Sequence, residues 1–412
     1  TPLVKPGDTV GLGQKLGDGE GLCVPVHASV SGLVTAVEPR PHPGGGQVLS
    51  VVIENDYQDT PASALEPHLD LSGLTKEEIV SIIGEAGIVG MGGATFPTDV
   101  KTVAGMGRVD TLIANACECE PYITADDALL CTYPEQVLRG MGVLMAVLEP
   151  KRAVLAVEDN KSEAVGILKK QMETFPGIEL LILPTRYPQG AEKQLIQAVT
   201  GRQVPPGALP KDVGCAVFNA ATFASIYKAV YEGEPVTRRI VTVTGEGVRE
   251  PKNLIVRIGT PFSEVIAAAG GLTGDVWKVL SGGPMMGVAQ ADLAVPVVKG
   301  TNAVLCLSRA QDREGAHPQC IRCGKCVSVC PMHLEPLFMY QYASKGMVEE
   351  LNDAHIMDCM ECGACSYICP ARMHLTHMFK TGKQLVKDKA AADRAAAEAK
   401  KKAEEAKEAA AK

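Results

Sequence analysis

The chain has 412 residues and a formal net charge of −8, which is enough length for two to four domains that each bury a core. The acidic balance argues against nucleic acid as a partner, because phosphate binding needs a basic face. The longest apolar stretch, residues 140–156, is interrupted by Glu149, Pro150, Lys151 and Arg152, so we expect no transmembrane helix.

The first 60 residues predict a barrel-sandwich β domain. Short apolar stretches such as 4–10 and 48–53 alternate with glycine and proline turns. The pattern looks like the barrel-sandwich fold of lipoyl and biotinyl carriers, but the carrier lysine signature is missing. We therefore expect a structural role, and we assign no chemistry to His27 or His42.

Residues 72–236 predict a Rossmann-like α/β domain. Thr75 and Glu78 have the spacing of a capping box, so a helix should begin after Thr75. Apolar stretches predict buried strands, and helical stretches alternate with them: strands at 111–115, 153–157 and 179–183, helices at 126–148 and 162–174. This alternation is typical of a mostly parallel sheet covered by helices.

A glycine-rich loop and the strand after it form a candidate ligand site. Glycines at 90, 92 and 93 would let backbone N–H groups approach a phosphate, with Lys101 as a point charge in the helix that follows. Asn115, Glu118 and Glu120 come at the end of the next strand, where α/β sheets bind ligands. Strand alternation would point both carboxylates to the same side. The alternative at this point is an ordinary glycine-rich turn and a solvated acidic loop.

Residues 237–300 predict a compact β-grasp unit similar to an SLBB domain. A strand-like run begins at Arg239, a helix start follows at Pro261, and Gly270 and Gly271 give a stop signal.

Residues 301–382 contain the strongest signal, a cysteine motif that is repeated after 39 residues. Both copies fit C-x2-C-x2-C-x3-C-P, the bacterial ferredoxin run in which the fourth cysteine binds the other cluster. We therefore expect a ferredoxin-like domain with two [4Fe–4S] clusters, one held by Cys320, Cys323, Cys326 and Cys369 and the other by Cys359, Cys362, Cys365 and Cys330. The competing interpretation is a pair of zinc sites, but zinc knuckles are usually separated by a longer gap.

The last segment, 383–412, is almost entirely Ala, Lys, Glu, Asp and Arg. It predicts a solvated helix that serves as a spacer or docking arm. A frayed tail is the alternative.

The candidate ligand site resembles the FMN- and NADH-binding subunit of respiratory complex I. Residues 90–101 match its glycine-rich signature, and 115–121 match its second motif except that Cys117 and Cys119 stand for Asp and Ser. A third motif is matched only partly at 190–193, where Ala191 replaces a glutamate. A fourth is echoed by Asn219 and Thr222.

With the ferredoxin repeat and the N-terminal stretches 25–34 and 38–43, the chain resembles the C subunits of Rnf electron-transport complexes over nearly its whole length. The resemblance implies FMN, NAD(H) and two [4Fe–4S] clusters as cofactors. It assigns FMN to Gly90, Gly92, Gly93, Lys101, Asn115, Glu118, Asn219 and Thr222, and NADH to Phe96, Glu120 and Glu192. It implies no catalytic acid or base, because the cofactors carry the chemistry.

The same resemblance implies a peripheral subunit on the cytoplasmic face of the plasma membrane. Its partners would be the other Rnf subunits, including a ferredoxin-like iron–sulfur subunit and integral-membrane subunits. The complex would exchange electrons between NAD(H) and ferredoxin and couple that flow to ion movement. Two alternatives stay open, a soluble flavin and iron–sulfur cobalamin reductase and a flavin-less electron relay. The sequence leaves open the reaction direction, the coupling ion and the cluster potentials.

Overall fold

The computed structural model describes residues 1–62, 65–311 and 319–411, with side chains up to Lys402. It divides into two compact units, Thr1–Asp312 and Arg313–Lys412, and each is described by itself. Within the described ranges, no helix has both the length and the apolar character needed to cross a membrane.

The N-terminal part of the first unit is a small β domain. Its strands are β1 (Thr9–Val10), β2 (Lys15–Gly17), β3 (Val26–His27), β4 (Gly32–Pro41) and β5 (Gln47–Asn55). They form an antiparallel sheet of order β1-β4-β5 and a separate β2-β3 pair. Val10, Leu16, Ala28 and Val34 are buried between them and make a core of modest size. The barrel-sandwich architecture was predicted from the sequence.

The next part of the chain is an α/β domain. Its elements are α1 (Lys76–Glu85), α2 (Thr98–Gly105), β6 (Thr111–Ala116), α3 (Ala125–Thr132), α4 (Pro134–Leu148), β7 (Arg152–Glu158), α5 (Ser162–Gln171), β8 (Ile178–Leu183), α6 (Glu192–Thr200), β9 (Cys215–Asn219) and α7 (Ala220–Glu232). The four strands are parallel in the order β8-β7-β6-β9. Their carboxyl ends therefore meet at one edge of the sheet.

Local sequence signals explain several of these elements. The capping box at the start of α1 is confirmed, because Thr75 Oγ1 accepts from the Glu78 amide at 3.2 Å and Glu78 Oε2 accepts from the Thr75 amide at 2.8 Å. The single helix predicted over 126–148 is wrong. The chain breaks at Tyr133 and restarts with Pro134 as the first residue of α4, because proline lacks the N–H that a continuous helix would need there.

Helices α4 and α7 pack closely, and Gly140 makes the approach possible. A Cβ built at Gly140 would lie 1.9 Å from the Phe223 carbonyl oxygen. Any side chain there would therefore push apart the helix pair that carries Thr222. The residues around this contact, including Met141, Leu144 and Phe223, are fully buried.

The third part of the first unit has a five-stranded sheet with one helix. Its elements are β10 (Arg238–Thr244), β11 (Lys252–Arg257), α8 (Phe262–Ala268), β12 (Val276–Ser281), β13 (Val288–Ala289) and β14 (Ala303–Ser308). The sheet order is β11-β10-β14-β12-β13, with β10 and β14 parallel. Strand β14 falls in the range assigned from the sequence to the cluster domain, yet it is the central strand here. Without it, β10 and β12 would each have an unpaired edge.

Lys299 joins the three parts of the first unit. Its buried Nζ donates to the Pro25 carbonyl at 2.8 Å and to the Gly87 carbonyl at 2.6 Å. Burial lowers the pKa of Lys299 to about 8. The chain just before the glycine-rich loop is thereby tied to both β domains.

The second unit is helical. Its helices are α9 (Lys325–Ser328), α10 (Pro336–Lys345), α11 (Val348–Asp353), α12 (Ala364–Ile368) and α13 (Leu375–Ala411). Met339, Leu351, Ile356 and Phe379 fill the core between α10, α11 and α13. The charged tail predicted from residue 383 is helical and continues α13, whose first turns pack against the rest of this unit.

Candidate functional site

Thr222 of α7 holds the glycine-rich loop. The Met91 amide donates to Thr222 Oγ1 at 3.0 Å, and the buried hydroxyl lies 3.4 Å from the Val89 carbonyl that it donates to. The residues that follow, 92–96, are exposed, and no atom lies within 4 Å of a Cβ built at Gly93. The loop backbone is therefore anchored at Met91 and open beyond it.

Lys101 lies in the first turn of α2, beside this loop. Its Nζ lies 2.6 Å from Glu192 Oε1 at the start of α6 and 5.2 Å from the centroid of the Phe218 ring. Lys101, which was predicted to bind FMN, is thus in contact with Glu192, which was predicted to bind NADH. Phe96, also predicted for NADH, is 43% exposed at the end of the open loop.

Glu118 is buried and bonded within the protein. Its two carboxylate oxygens accept from the amides of Asp126 at 2.9 Å and Asp127 at 3.3 Å, so Glu118 caps α3. Lys161 Nζ lies 3.5 Å from the same carboxylate. Burial and the nearby Asp126 charge raise the pKa of Glu118 to about 7. This residue positions α3, and its oxygens face protein donors.

Asn219 and Asp126 connect α7 to α3. Asn219 Oδ1 accepts from the Ala221 amide at 2.9 Å and so caps α7, while its Nδ2 donates to Asp126 Oδ2 at 2.6 Å. Burial raises the pKa of Asp126. The short polar contacts fix the two helix starts at the carboxyl edge of the sheet.

Arg239 reaches this network from β10 of the neighbouring sheet. The buried guanidinium donates to the Met91 carbonyl at 3.3 Å and to the Lys299 carbonyl. Burial lowers the pKa of Arg239 to about 10, while the charges of Asp126 and Glu118 act in the opposite direction. The β-grasp part therefore supplies a positive charge, in addition to that of Lys161, near the two buried acids, and it holds the glycine-rich loop.

Glu120 faces a different region from Glu118. Its Oε1 accepts from the amides of Met285 at 2.7 Å and Met286 at 3.0 Å, and burial raises its pKa. The prediction that Glu118 and Glu120 share one side does not hold, because β6 ends at Ala116 and strand alternation stops there.

The two cysteines at which the chain departs from the complex I motif lie close to Gly190. Asn115 Nδ2 donates to the Gly190 carbonyl at 2.8 Å, and the Gly190 amide lies 3.3 Å from Cys119 Sγ. A Cβ at Gly190 would lie 2.1 Å from the Cys117 carbonyl oxygen. Burial is the main cause that raises the pKa of Cys117, and it raises that of Cys119 to about 11. Both cysteines are therefore neutral thiols and give no negative charge to this part of the site.

Two buried carboxylate oxygens fit the binding of a polar ligand at this edge. Asp127 Oδ1 and Glu158 Oε2 are buried, and neither has a hydrogen-bond partner among the described residues. Buried acceptors of this kind normally have a donor. With the open glycine loop, the Lys101 charge and the α2 start, they suit a ligand that has both a phosphate and hydroxyl or N–H donors, as FMN has.

In the second unit, each predicted set of four cysteines surrounds one cavity. Cys320, Cys323, Cys326 and Cys369 line the first cavity with apolar residues such as Val327 and Leu337. The other cavity is lined by Cys330, Cys359, Cys362 and Cys365, with Met339 and Phe379. In both cavities the fourth cysteine comes from the other copy of the repeat.

Backbone amides point at several of these sulfurs. The Arg322 amide lies 3.3 Å from Cys320 Sγ, the Glu361 amide 3.4 Å from Cys359 Sγ and the Leu334 amide 3.4 Å from Cys330 Sγ. Arg322 and Glu361 hold positive φ angles of 55° and 58°, which turn these amides inward. N–H donors of this kind stabilise ligating thiolates and the charge of an iron–sulfur cluster.

The four cysteines that line each cavity suit an iron–sulfur cubane. Across the described ranges, no three or more His, Cys, Asp or Glu side chains are placed so that they could hold a metal ion. Zinc needs four ligand atoms about 2.3 Å from one centre. A cubane holds its four thiolates apart with iron and sulfide, and each cavity is lined by the four cysteines that one cubane requires. Burial raises the pKa of Cys365 to about 12, so its thiolate needs a compensating positive centre such as iron.

Comparison with known proteins divides the chain into the same four successive parts that the structure shows. Family models match the RnfC barrel sandwich hybrid domain at residues 1–58, the Nuo51 FMN-binding domain at 83–228, the SLBB domain at 240–289 and the 4Fe-4S dicluster domain at 316–370. The C subunit of the Na(+)-translocating ferredoxin:NAD(+) oxidoreductase complex of Acetobacterium woodii is 46% identical over 87% of this chain and 81% of its own length. The chain belongs to the RnfC family.

Other RnfC proteins are similar to a comparable degree. The C subunit of the proton-translocating ferredoxin:NAD(+) oxidoreductase complex of Clostridium ljungdahlii is 40% identical over 86% of this chain and 78% of its own length. The Serratia proteamaculans protein is 41% identical over 86% of this chain, which corresponds to 51% of that longer protein. A solved NAD+-reducing [NiFe]-hydrogenase shares the fold, with a TM-score of 0.54, 20% identity and coverage of 71% of this chain and 59% of the hydrogenase chain.

Sequence reasoning missed five charged residues of the site: Asp126, Asp127, Glu158, Lys161 and Arg239. Asp126 follows Thr124 at a helix start, so its place in the first turn of α3 was readable. Glu158 is the last residue of β7, and Lys161 follows it closely. The carboxyl ends of the neighbouring strands also carry site residues, so this position could have been examined. Arg239 gave no signal, because it reaches the site from another sheet.

Proposed function

We propose that this chain is the electron-transfer subunit of an ion-translocating ferredoxin:NAD(+) oxidoreductase complex, passing electrons between NAD(H) and two [4Fe–4S] clusters by way of FMN. The observation that carries the proposal is the pair of four-cysteine cavities in the same chain as a flavin-type fold. When bound, FMN would exchange hydride with NAD(H) and single electrons with the clusters. The chain supplies binding and orientation.

The first unit would hold the flavin through its loop and charged network. Gly90, Gly92, Gly93 and Lys101 would bind the phosphate, since an open glycine loop beside a helix start favours anions. Thr222 and Asn219 hold this loop and α7 in place. Asn115 orders the Gly190 turn. Glu118 acts by fixing α3, which sets the position of the buried acceptor on Asp127.

The nicotinamide nucleotide would bind on the exposed side of the loop. Phe96 offers an exposed ring, and Glu192 and Glu120 offer carboxylates for ribose hydroxyls. Glu192 is 41% exposed and paired with Lys101, so a bound nucleotide would have to share or replace that pair. Glu120 is held by the Met285 and Met286 amides and by a side-chain hydrogen bond with Tyr187, so a ribose hydroxyl would have to share the carboxylate with these groups.

The partners would be the other members of the complex, including a ferredoxin-like iron–sulfur subunit and integral-membrane subunits. The relatives at 40–46% identity are named as C subunits of ferredoxin:NAD(+) oxidoreductase complexes. The proposed location is the cytoplasmic face of the membrane, attached through those partners.

Cofactor analysis of reconstituted variants tests this proposal. The wild-type chain should hold FMN and the iron of two clusters. Cys320→Ser and Cys359→Ser should each lose roughly half of the iron and keep the flavin, because the flavin fold and the cluster fold are separate units. Zinc in place of iron would contradict the cluster proposal. A wild-type chain that holds iron but no flavin would support the alternative of a flavin-less electron relay.

A further inference from the structure

Lys383 of α13 lies over the second cysteine motif. Its Nζ donates to the Cys359 carbonyl at 2.5 Å and to Glu361 Oε1 at 2.7 Å. The lysine side chain is only 14% exposed and that of Glu361 27%. The ion pair is therefore shielded from water, where charge interactions are stronger than on the surface.

A close helix contact brings Lys383 to this loop. A Cβ built at Gly382 would lie 2.6 Å from Ile356 Cδ1 and 3.0 Å from Ala343 Cβ. Glycine at 382 thus lets α13 lie against the segment that leads into Cys359. The neighbouring Phe379 is buried and lines the cavity of the second motif, so the lysine position is fixed by packing on both sides.

The pair also controls a hydrogen bond to a ligand sulfur. The Glu361 amide points at Cys359 Sγ, 3.4 Å away, while its carboxylate is held by Lys383. Fixing the side chain fixes the loop that presents the amide. Lys383 therefore contributes a positive charge near the motif and an ordered N–H donor, and both favour an added electron on a cluster.

The first copy of the repeat differs at both positions. A shift of 39 residues places Arg322 at the position of Glu361 and Ser344 at that of Lys383. Ser344 Oγ donates to the Gln341 carbonyl of its own helix at 2.9 Å. The lysine–glutamate arrangement thus belongs to the second copy, whereas the first copy has an arginine at the glutamate position, so the charges around the two clusters differ.

We propose that Lys383, held by Glu361, is a positioning residue that raises the reduction potential of the cluster bound by Cys330, Cys359, Cys362 and Cys365. This inference rests on the iron–sulfur function proposed above. It adds that Lys383 of α13 gives the two clusters different reduction potentials. Electrons would then settle preferentially on one cluster rather than be shared evenly.

Redox titration of the reconstituted full-length chain, monitored by electron paramagnetic resonance, tests the proposal. Lys383→Met should lower one of the two cluster potentials and leave the other in place. Lys383→Arg should restore it, because the guanidinium keeps the charge. Glu361→Gln should raise the same potential, since it removes a negative charge while its side-chain oxygen can still accept a hydrogen bond from Lys383. The control Lys387→Met changes an exposed lysine of the same helix and should shift neither potential.

Iron content separates the possible failures. A wild-type chain without iron–sulfur signals would refute the proposed function itself. Intact clusters in Lys383→Met with both potentials unchanged would refute the role of Lys383. If Lys383→Met loses half of its iron, Glu361→Gln decides, and an unchanged potential in that variant overturns the proposal.

Discussion

Gly140→Ala tests whether the approach of α4 to α7 supports both the fold and the flavin site. The added Cβ would start 1.9 Å from the Phe223 carbonyl oxygen, whereas real contacts of this kind are essentially never under 3.0 Å. The helices must therefore separate by about 1 Å or more. Overpacking of this kind costs about 1–3 kcal/mol, and we expect the upper end because a backbone oxygen cannot rotate away.

Gly142→Ala is the matched control in the same helix. A Cβ at Gly142 meets no atom within 4 Å, so this change gains only the helix propensity of alanine, about 1 kcal/mol. Gly140→Ala gains the same propensity, so the difference between the two variants isolates packing. We expect Gly140→Ala to be less stable than Gly142→Ala by about 3 kcal/mol.

The measurements are urea unfolding followed by circular dichroism and the FMN content after reconstitution. Because Thr222 precedes Phe223, moving α7 displaces the hydroxyl that holds the Met91 amide. Gly140→Ala should therefore also bind less FMN than Gly142→Ala. Equal stability and equal flavin content in the two variants would refute this packing argument.

Two further changes test individual contacts. Thr75→Ala removes the capping box of α1 and should lower the free energy of unfolding by about 1 kcal/mol in urea; no change would mean that the cap contributes nothing. Burial and Asp126 raise the pKa of Glu118 from 4.5 to about 7, so the folded chain keeps a proton that the unfolded chain releases, and stability falls as pH rises through this window. Glu118→Gln removes this titrating carboxyl group, so the free energy of unfolding should fall less between pH 5 and 8 than in the wild type, by about 1–3 kcal/mol. An identical pH dependence of stability in the two proteins would contradict the shifted pKa.

The features that the sequence predicted well depend on strict local spacing. The two cysteine motifs fix loop geometry within a few residues, so the grouping of Cys369 with the first copy followed from the repeat alone. The capping box at Thr75 and the strands β6, β7 and β8 are equally local, although β8 is a partly exposed edge strand and not the buried strand that was predicted. The predicted single helix over 126–148 missed the break at Pro134, although this break could have been read from the sequence, since proline suits a helix start better than a helix interior.

The features that the sequence did not predict depend on contacts between distant segments. Strand β14 was assigned to the wrong domain because its pairing with β10 spans about 60 residues and leaves no local mark. Arg239 acts on a loop of another domain. The opposite directions of Glu118 and Glu120 follow from where β6 ends, which strand periodicity alone does not fix.

The most direct test of the proposed electron path is an anaerobic visible spectrum of the reconstituted chain before and after addition of NADH. We expect the flavin bands to bleach and the broad cluster absorbance to decrease in the same experiment, because one chain holds both sites. Cluster absorbance that NADH does not change, with no flavin bands, would contradict the path and leave a protein that only relays electrons.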